Sequence, residues 1–247
     1  MKIPAFITVR TASSRLPRKC LLPFGDGNVI QHVIRRALFY KLDPIVCTTV
    51  EPADDVIVRM AKEEKVKYFR GSVLDKLRRW RDCCDHFGIE NFHTVDADDL
   101  FFDGDLIRNS FALMKEGYDV VSPTEATSVG GTGSVGFSLT RSIVNKACEL
   151  TKPGSDTEMM WTYLEKVKGV KKIVMPDEEG VRQARLTLDY EEDYWLLRTV
   201  ERIVGSFAIR KEVDNLFIRN PDLFKINWFR NEEWKQKQLE ISKEEQI

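Results

Sequence analysis

Short apolar runs alternate with longer stretches of helical period along the first half of this chain, and that alternation points to a sheet with crossover helices. Ile3–Val9, Ile45–Thr49, Val66–Phe69, Phe92–Val95 and the short run Val120–Val121 read as strands. Between them Val29–Leu38 and Val56–Ala61 carry apolar residues at helical spacing, as do Val73, Leu77, Trp80, Cys84 and Phe87, so each helix can cover one face of the sheet. A chain of 247 residues, 43% hydrophobic and 31% charged, is long enough for one large α/β domain and excludes disordered and fibrous classes. The expected fold is α/β, a mixed, mostly parallel sheet with helices on both faces. Past the Gly/Ser/Thr-rich segment Ser128–Ser134, read as a mobile loop, the pattern is less regular. Phe137–Leu139, Lys172–Met175 and Ala184–Leu188 are the expected strands there; Ser142–Leu150 and Glu158–Val167 are expected helices, and Leu196, Val200, Ile203 and Phe207 mark another. Residues 1–209 form the expected domain, and residues 210–247 a helical extension ending in a charged tail.

Charge narrows the partners. Lys+Arg at 38 against Asp+Glu at 39 leaves a formal charge of -1, so no global basic field points to nucleic acid or an anionic membrane. Ile3–Val9, the longest apolar N-terminal stretch, is far shorter than the roughly 20 residues of a membrane span. The cysteines (Cys20, Cys47, Cys83, Cys84, Cys148) are odd in number, lack metal-ligand spacing and mostly sit in apolar runs, which fits a reducing cytoplasm. His32, His86 and His93 form no zinc-type cluster and read as partly buried or surface residues.

Chemistry concentrates after the first strand. Residues 1–25 hold five basic side chains and no acid, and the first turn runs Arg10-Thr-Ala-Ser-Ser-Arg15-Leu-Pro-Arg18-Lys19. In an open α/β sheet ligands lie beyond the carboxyl ends of the strands, where Arg, Lys, hydroxyls such as Ser13 and Ser14, and backbone N–H groups can wrap a polyphosphate. The alternative is a solvated basic loop. It is not a Walker A loop, since no glycine precedes Lys19 at that spacing. The fourth strand ends in Val95-Asp96-Ala97-Asp98-Asp99, where carboxylates facing a basic loop suit a Mg²⁺ ion shared with a triphosphate; alternatively these acids cap a helix near Asp103–Met114. A later strand leads into Arg185-Leu-Thr-Leu-Asp189-Tyr-Glu-Glu192-Asp193, where Asp189 with Glu192 three residues on also makes an acceptable helix N-cap arrangement.

The loop resembles the R-x-x-S-x-R-L-P-x-K nucleotide loop of cytidylyltransferases that make activated acidic sugars, the CMP-KDO synthetase group and the spore-coat-polysaccharide cytidylyltransferase-like proteins. Further blocks agree in order: Gln31-His32-Val33-Ile34, Thr48-Thr49 with Pro52 and Asp54-Asp55, Phe69-Arg70-Gly71-Ser72 with Asp75, and Asn220-Pro221-Asp222-Leu223 with Ile226-Asn227. The resemblance implies a nucleotide-diphospho-sugar-transferase-like, Rossmann-like fold and transfer of CMP from CTP to an acidic or phosphorylated sugar in surface polysaccharide or glycan biosynthesis. It implies that Arg10, Ser13, Ser14, Arg15 and Lys19 hold the phosphates, with Arg15, Lys19 and Asp98 serving catalysis. It makes Thr48, Arg70, Gly71 and Ser72 substrate-binding, with Arg70 and Ser72 near cytosine and ribose, and Asp98 and Asp189 the Mg²⁺ ligands. Ala97 and Leu100 replace the family's glycine and proline around Asp98. The acceptor half departs further: Gly133-Ser134-Val135-Gly136-Phe137 and Glu158-Met159-Met160-Trp161 stand where the relatives carry an acidic residue and an E-H-V-T run. Two other readings stay open: a metal-dependent glycosyltransferase of the same fold, for which Asp96-Ala97-Asp98 is a D-x-D motif, and a non-catalytic nucleotide-binding assembly subunit. Phe217-Ile218, Leu223-Phe224, Ile226, Trp228-Phe229 and Trp234 crowd large apolar residues onto the extension. They either fold back on their own domain or, as the resemblance implies, join the segment around Glu158–Val167 in a homodimer.

Overall fold

The sheet is centred on β1 (Pro4–Thr8), whose Ala5, Phe6 and Ile7 are all fully buried. A parallel strand covered by helices on both faces needs such an unbroken apolar run. The computed structural model describes residues 2–124, 134–152, 154–176 and 184–233. The short pair β2 (Pro23–Phe24) and β3 (Gly27–Asn28) follows β1 and lies apart from the main sheet. The other strands are β4 (Asp43–Thr49), β5 (Lys67–Gly71), β6 (Asn91–Asp96), β7 (Val120–Ser122), β8 (Ser138–Thr140) and β9 (Lys172–Val174). They assemble in the order β5-β4-β1-β6-β8-β7-β9, parallel except for β8, which runs antiparallel between β6 and β7.

Helices cover both faces. On one, α1 (Val29–Phe39), α2 (Asp55–Glu63) and α4 (Gly104–Leu113) pack Val33, Ile34, Ile57 and Leu106 against Ala5, Ile7 and Val46. On the other, α3 (Lys76–Phe87) and α5 (Arg141–Glu149) pack Leu77, Trp80, Ile143 and Val144 against Phe6, Ile45 and Phe92. Successive β1 residues therefore serve opposite cores, as the period of two requires. Local caps set the helix starts: Asn28, Asp75, Asp103 and Thr140 each accept a hydrogen bond from a backbone N–H of the first turn.

The irregular second half differs in places from expectation. Ala184–Leu188 is no strand; Thr187 makes one isolated bridge with Asp99, and Leu186 and Leu188 are buried instead among helical side chains. The helix expected over Glu158–Val167 begins only at Trp161 and ends at Lys166 (α6). It starts late because Thr157 is held to α3, accepting from Leu77 N and donating to Asp75. His32 and His93 are buried rather than partly exposed, His32 facing Leu100 O and His93 facing Ser138 Oγ; only His86 is exposed. All five cysteines are free and buried. Beyond α7 (Glu191–Val204), α8 (Arg210–Arg219) and the 3₁₀ segment Pro221–Ile226 fold back on the body. Val213, Leu216 and Phe217 share a core with Phe24, Val29, Leu100 and Leu186, while Ile218 and Phe229 are exposed. Residues 128–133 of the expected mobile loop, Trp234 and the charged tail lie outside the described residues. Among the described residues no helix is long and apolar enough to cross a membrane.

Candidate active site

β1 and β6 are parallel neighbours with Thr8 opposite Asp96, so residues 10–19 and 96–99 leave the same edge of the sheet side by side. The basic loop is anchored at its start by buried Asp54, which accepts from Thr11 N at 2.8 Å and Thr11 Oγ1 at 2.7 Å. Burial alone would raise the Asp54 pKa, but hydrogen bonds from Thr11 and Thr49 outweigh it and hold the carboxyl below its ordinary value. At the loop's end Arg18 takes a left-handed conformation, φ 56°, and turns the chain into the 3₁₀ turn Lys19–Leu21. This backbone disfavours a branched L-residue and is tolerated where the surrounding structure fixes it.

Lys19 is the hub of the site. Its Nζ donates to Asp98 Oδ2 at 2.7 Å, Asp189 Oδ1 at 2.9 Å and the Leu188 carbonyl at 2.7 Å, and Arg15 Nη2 donates to Asp189 Oδ1 at 2.7 Å. Desolvation pulls the Lys19 pKa down, yet the charges of Asp98 and Asp189 outweigh it and leave the ammonium above its ordinary value. Asp189 is buried, which favours its neutral form, but Lys19 and Arg15 hold it ionised, with a pKa of about 2. Asp98 and Asp99 shift upward, through burial and the crowding of neighbouring carboxylates.

Neither capping alternative accounts for these acids. α4 is capped by Asp103 itself, which accepts from Asp105 N and Leu106 N. α7 is started by Asp193, whose carboxylate takes the backbone N–H groups of Asp189 and Tyr190, both at 2.9 Å. Asp189 therefore has its side chain free to face the basic loop. Behind it, Arg185 donates to Asp193 at 2.8 and 3.0 Å, and Asn227 Nδ2 reaches both Asp193 Oδ1 and the Arg185 carbonyl. Asp193 and Arg185 are almost wholly buried.

A cleft of about 1000 Å³ opens over this hub. Arg10, Ser13, Ser14, Arg15, Lys19, Asp98 and Asp189 all line it. Thr48, Arg70, Gly71 and Ser72 do not. Thr48 is buried; Arg70 donates to the carbonyls of Thr49 and Glu51, both at 2.8 Å, and pairs with Asp55; Ser72 accepts from Asp75 N. These residues brace the turns after β4 and β5. Lys76 and Arg79 are among the cleft residues that escaped the sequence reading, and Glu158, noted there only for its departure from the relatives, lies with them. Lys76 Nζ pairs with Asp96 at 2.9 Å and lies 3.9 Å from Glu158, which is 3.5 Å from Arg10. The available signal was spacing, because Lys76 and Arg79 sit one turn apart beside Trp80 at the start of a capped helix.

The two carboxylates that converge on Lys19 make an oxygen-only donor set, and among the described residues no group of three or more His, Cys, Asp or Glu side chains is arranged to hold a metal ion. Such a set suits Mg²⁺, which takes one or two carboxylates and completes its shell with phosphate and water.

Comparison with known proteins gives the family and the fold. The spore coat polysaccharide biosynthesis protein SpsF of Bacillus subtilis is 22% identical over 228 residues, covering 87% of this chain and 94% of that protein. The structure of a cytidylyltransferase from Leptospira borgpetersenii superposes with a TM-score of 0.81 at 24% identity, covering 91% of this chain and 97% of that one. That of CMP:2-keto-3-deoxy-manno-octonic acid synthetase complexed with CTP superposes with a TM-score of 0.61 at 13% identity, covering 82% and 99%. The cytidylyltransferase family model matches residues 5–135, a span that takes in the basic loop, Asp98 and the sheet edge that joins them. The chain is thus a nucleotidyltransferase of the cytidylyltransferase family.

Proposed function

We propose that the protein transfers CMP from CTP to an acidic or phosphorylated sugar, releasing pyrophosphate, as a cytoplasmic step in surface polysaccharide or glycan synthesis. The observation that carries this reading is the convergence of the basic loop, Asp98 and Asp189 on Lys19. Support for CTP and a sugar acceptor comes from the family, from the synthetase solved in complex with CTP and from the relative named for spore coat polysaccharide biosynthesis. An acceptor oxygen attacks the α-phosphorus in line, and catalysis is positioning plus electrostatics. Asp98 and Asp189 would hold Mg²⁺, whose chemistry is to neutralise phosphoryl charge. Arg10, Arg15 and Lys19 bind phosphate oxygens; the planar fork of Arg15 can do so bidentately. Asp193 and Arg185 keep Asp189 oriented.

The test is pyrophosphate release from CTP, Mg²⁺ and a panel of acidic and phosphorylated sugars, beside calorimetric titration of all four triphosphates. CTP-dependent release with CTP preferred over ATP and GTP supports the reading. Nucleotide-sugar consumption without pyrophosphate would mark a glycosyltransferase, and nucleotide binding with no turnover on any acceptor an assembly subunit.

A further inference from the structure

Three arginines rank among the largest fully buried side chains, and two have clear partners. Arg36 donates to the carbonyls of Phe102 and Ala208, and Arg185 pairs with Asp193. Arg79, on the first turn of α3, is the exception. It is 2% exposed, and its sealed Nε and Nη1 have no hydrogen-bond partner. Its stem is held tightly, because a Cβ on Gly71 would stand 3.0 Å from Arg79 Cγ and 3.4 Å from its Cα. Burial pulls its pKa below the ordinary value, but a guanidinium stays charged in a protein.

An unpaired buried charge is costly, and natural proteins keep one where a ligand completes it. Arg79 lines the cleft beside Arg10 and Lys76; the half-exposed Glu158 lies within reach of both, and its charge also acts on Arg79, with no hydrogen bond between them. The phosphate end of the cleft has its own cations in Arg15 and Lys19. We propose that Arg79 anchors an anionic oxygen group, a carboxylate or a phosphate, of the acceptor molecule, with Lys76 flanking it. Assigning that anion to the acceptor rests on the cytidylyl-transfer reading; the anion subsite does not.

The probes are glycolate for a carboxylate and glycerol 1-phosphate for a phosphate, each titrated into the full chain with and without CTP and Mg²⁺ while Tm is followed. One of them raises the Tm of the parent, which identifies the group, and Arg79→Met abolishes that rise. Arg79→Met also raises the unliganded Tm by about 2–4 °C, because it removes an unpaired buried charge. Its affinity for CTP with Mg²⁺ changes less than about threefold, and Arg79→Lys, which keeps the charge but loses the fork, binds the anion more weakly than the parent. A parent that responds to neither probe, an anion response unchanged in Arg79→Met, or a fall in unliganded Tm on that substitution overturns the proposal. So does a loss of CTP affinity of tenfold or more, about 1.4 kcal/mol, which would assign the guanidinium to the nucleotide. If CTP fails to bind the parent while the anion response still needs Arg79, the cytidylyl reading fails and the subsite stands.

Discussion

Asp98 and Asp189 share one ammonium, but their settings differ: Asp189 is buried and paired with Arg15, Lys19 and Arg185, whereas Asp98 faces the cleft with a quarter of its side chain exposed. Asp98→Asn should therefore leave the fold intact, since Lys19 keeps Asp189 and the Leu188 carbonyl, while turnover falls by about 100-fold or more, as for loss of a charge aimed at developing phosphoryl charge. Near-normal turnover at saturating Mg²⁺ with unchanged Tm would make Asp98 only a partner of Lys19. Arg15→Ala and Lys19→Ala should both weaken CTP binding by calorimetry; parent-like affinity in both would leave these cations as structural partners of Asp98 and Asp189 alone. Acid sensitivity arises elsewhere, at the buried histidines: desolvation lowers the pKa of His93 as well as that of His32. Buried His32 has its pKa lowered to about 4, first by desolvation and then by Arg36 and Arg35, against the hydrogen bond to Leu100 O, which favours protonation. The unfolded chain takes up this proton near pH 6.5 and the folded one only near 4, so stability present above pH 6.5 is lost as pH falls toward 4. The loss is on the order of 3 kcal/mol. Urea melts of the parent and His32→Gln between pH 7 and 4 check this: the variant's curve should be flatter, and parallel curves would refute it.

Among elements, the link between α7 and the C-terminal 3₁₀ segment has the most direct bearing on the site. Asn227 is fully buried and ties that segment to Asp193 and Arg185, which orient Asp189. Asn227→Ala should cost about 1–3 kcal/mol of stability, because buried polar partners are left unsatisfied. It should also weaken CTP binding, although Asn227 is absent from the cleft lining; chemical denaturation and calorimetry measure the two effects, and unchanged CTP affinity would uncouple them. The same region shows what the sequence could disclose. β1 and β4 were legible because parallel strands buried on both faces are rich in unbroken apolar residues, whereas the edge strand β5 and β6 showed only through short apolar segments. Ala184–Leu188 has the same look, yet its Leu186 and Leu188 bury against helices, and a pattern of apolar residues does not say what covers it. The basic loop, Asp98 and Asp189 were legible as chemistry; their convergence on Lys19 was not, since it depends on the register that sets Thr8 beside Asp96. Arg79 was illegible for a simpler reason: a charged residue on a helix is expected in water.

At the scale of the whole molecule, the segment from Arg210 to residue 233 completes a core instead of projecting from one. Deleting residues 210–247 would uncover Phe24, Leu100, Leu186 and Leu188. The shortened chain should aggregate or melt at least about 10 °C lower, the scale set by losing several buried apolar side chains. Light scattering and thermal melts check this, and a well-folded, soluble product with parent-like Tm would show that residues 1–209 suffice. The Asn227 tie has a further consequence for biosynthesis. Translation delivers the loop, Asp98 and Asp189 first and Asn227 well after them. A chain released before this last stretch carries the loop, Asp98, Asp189 and the Arg185–Asp193 pair but lacks the Asn227 tie that holds that pair, so the last residues made are the ones that fasten the site.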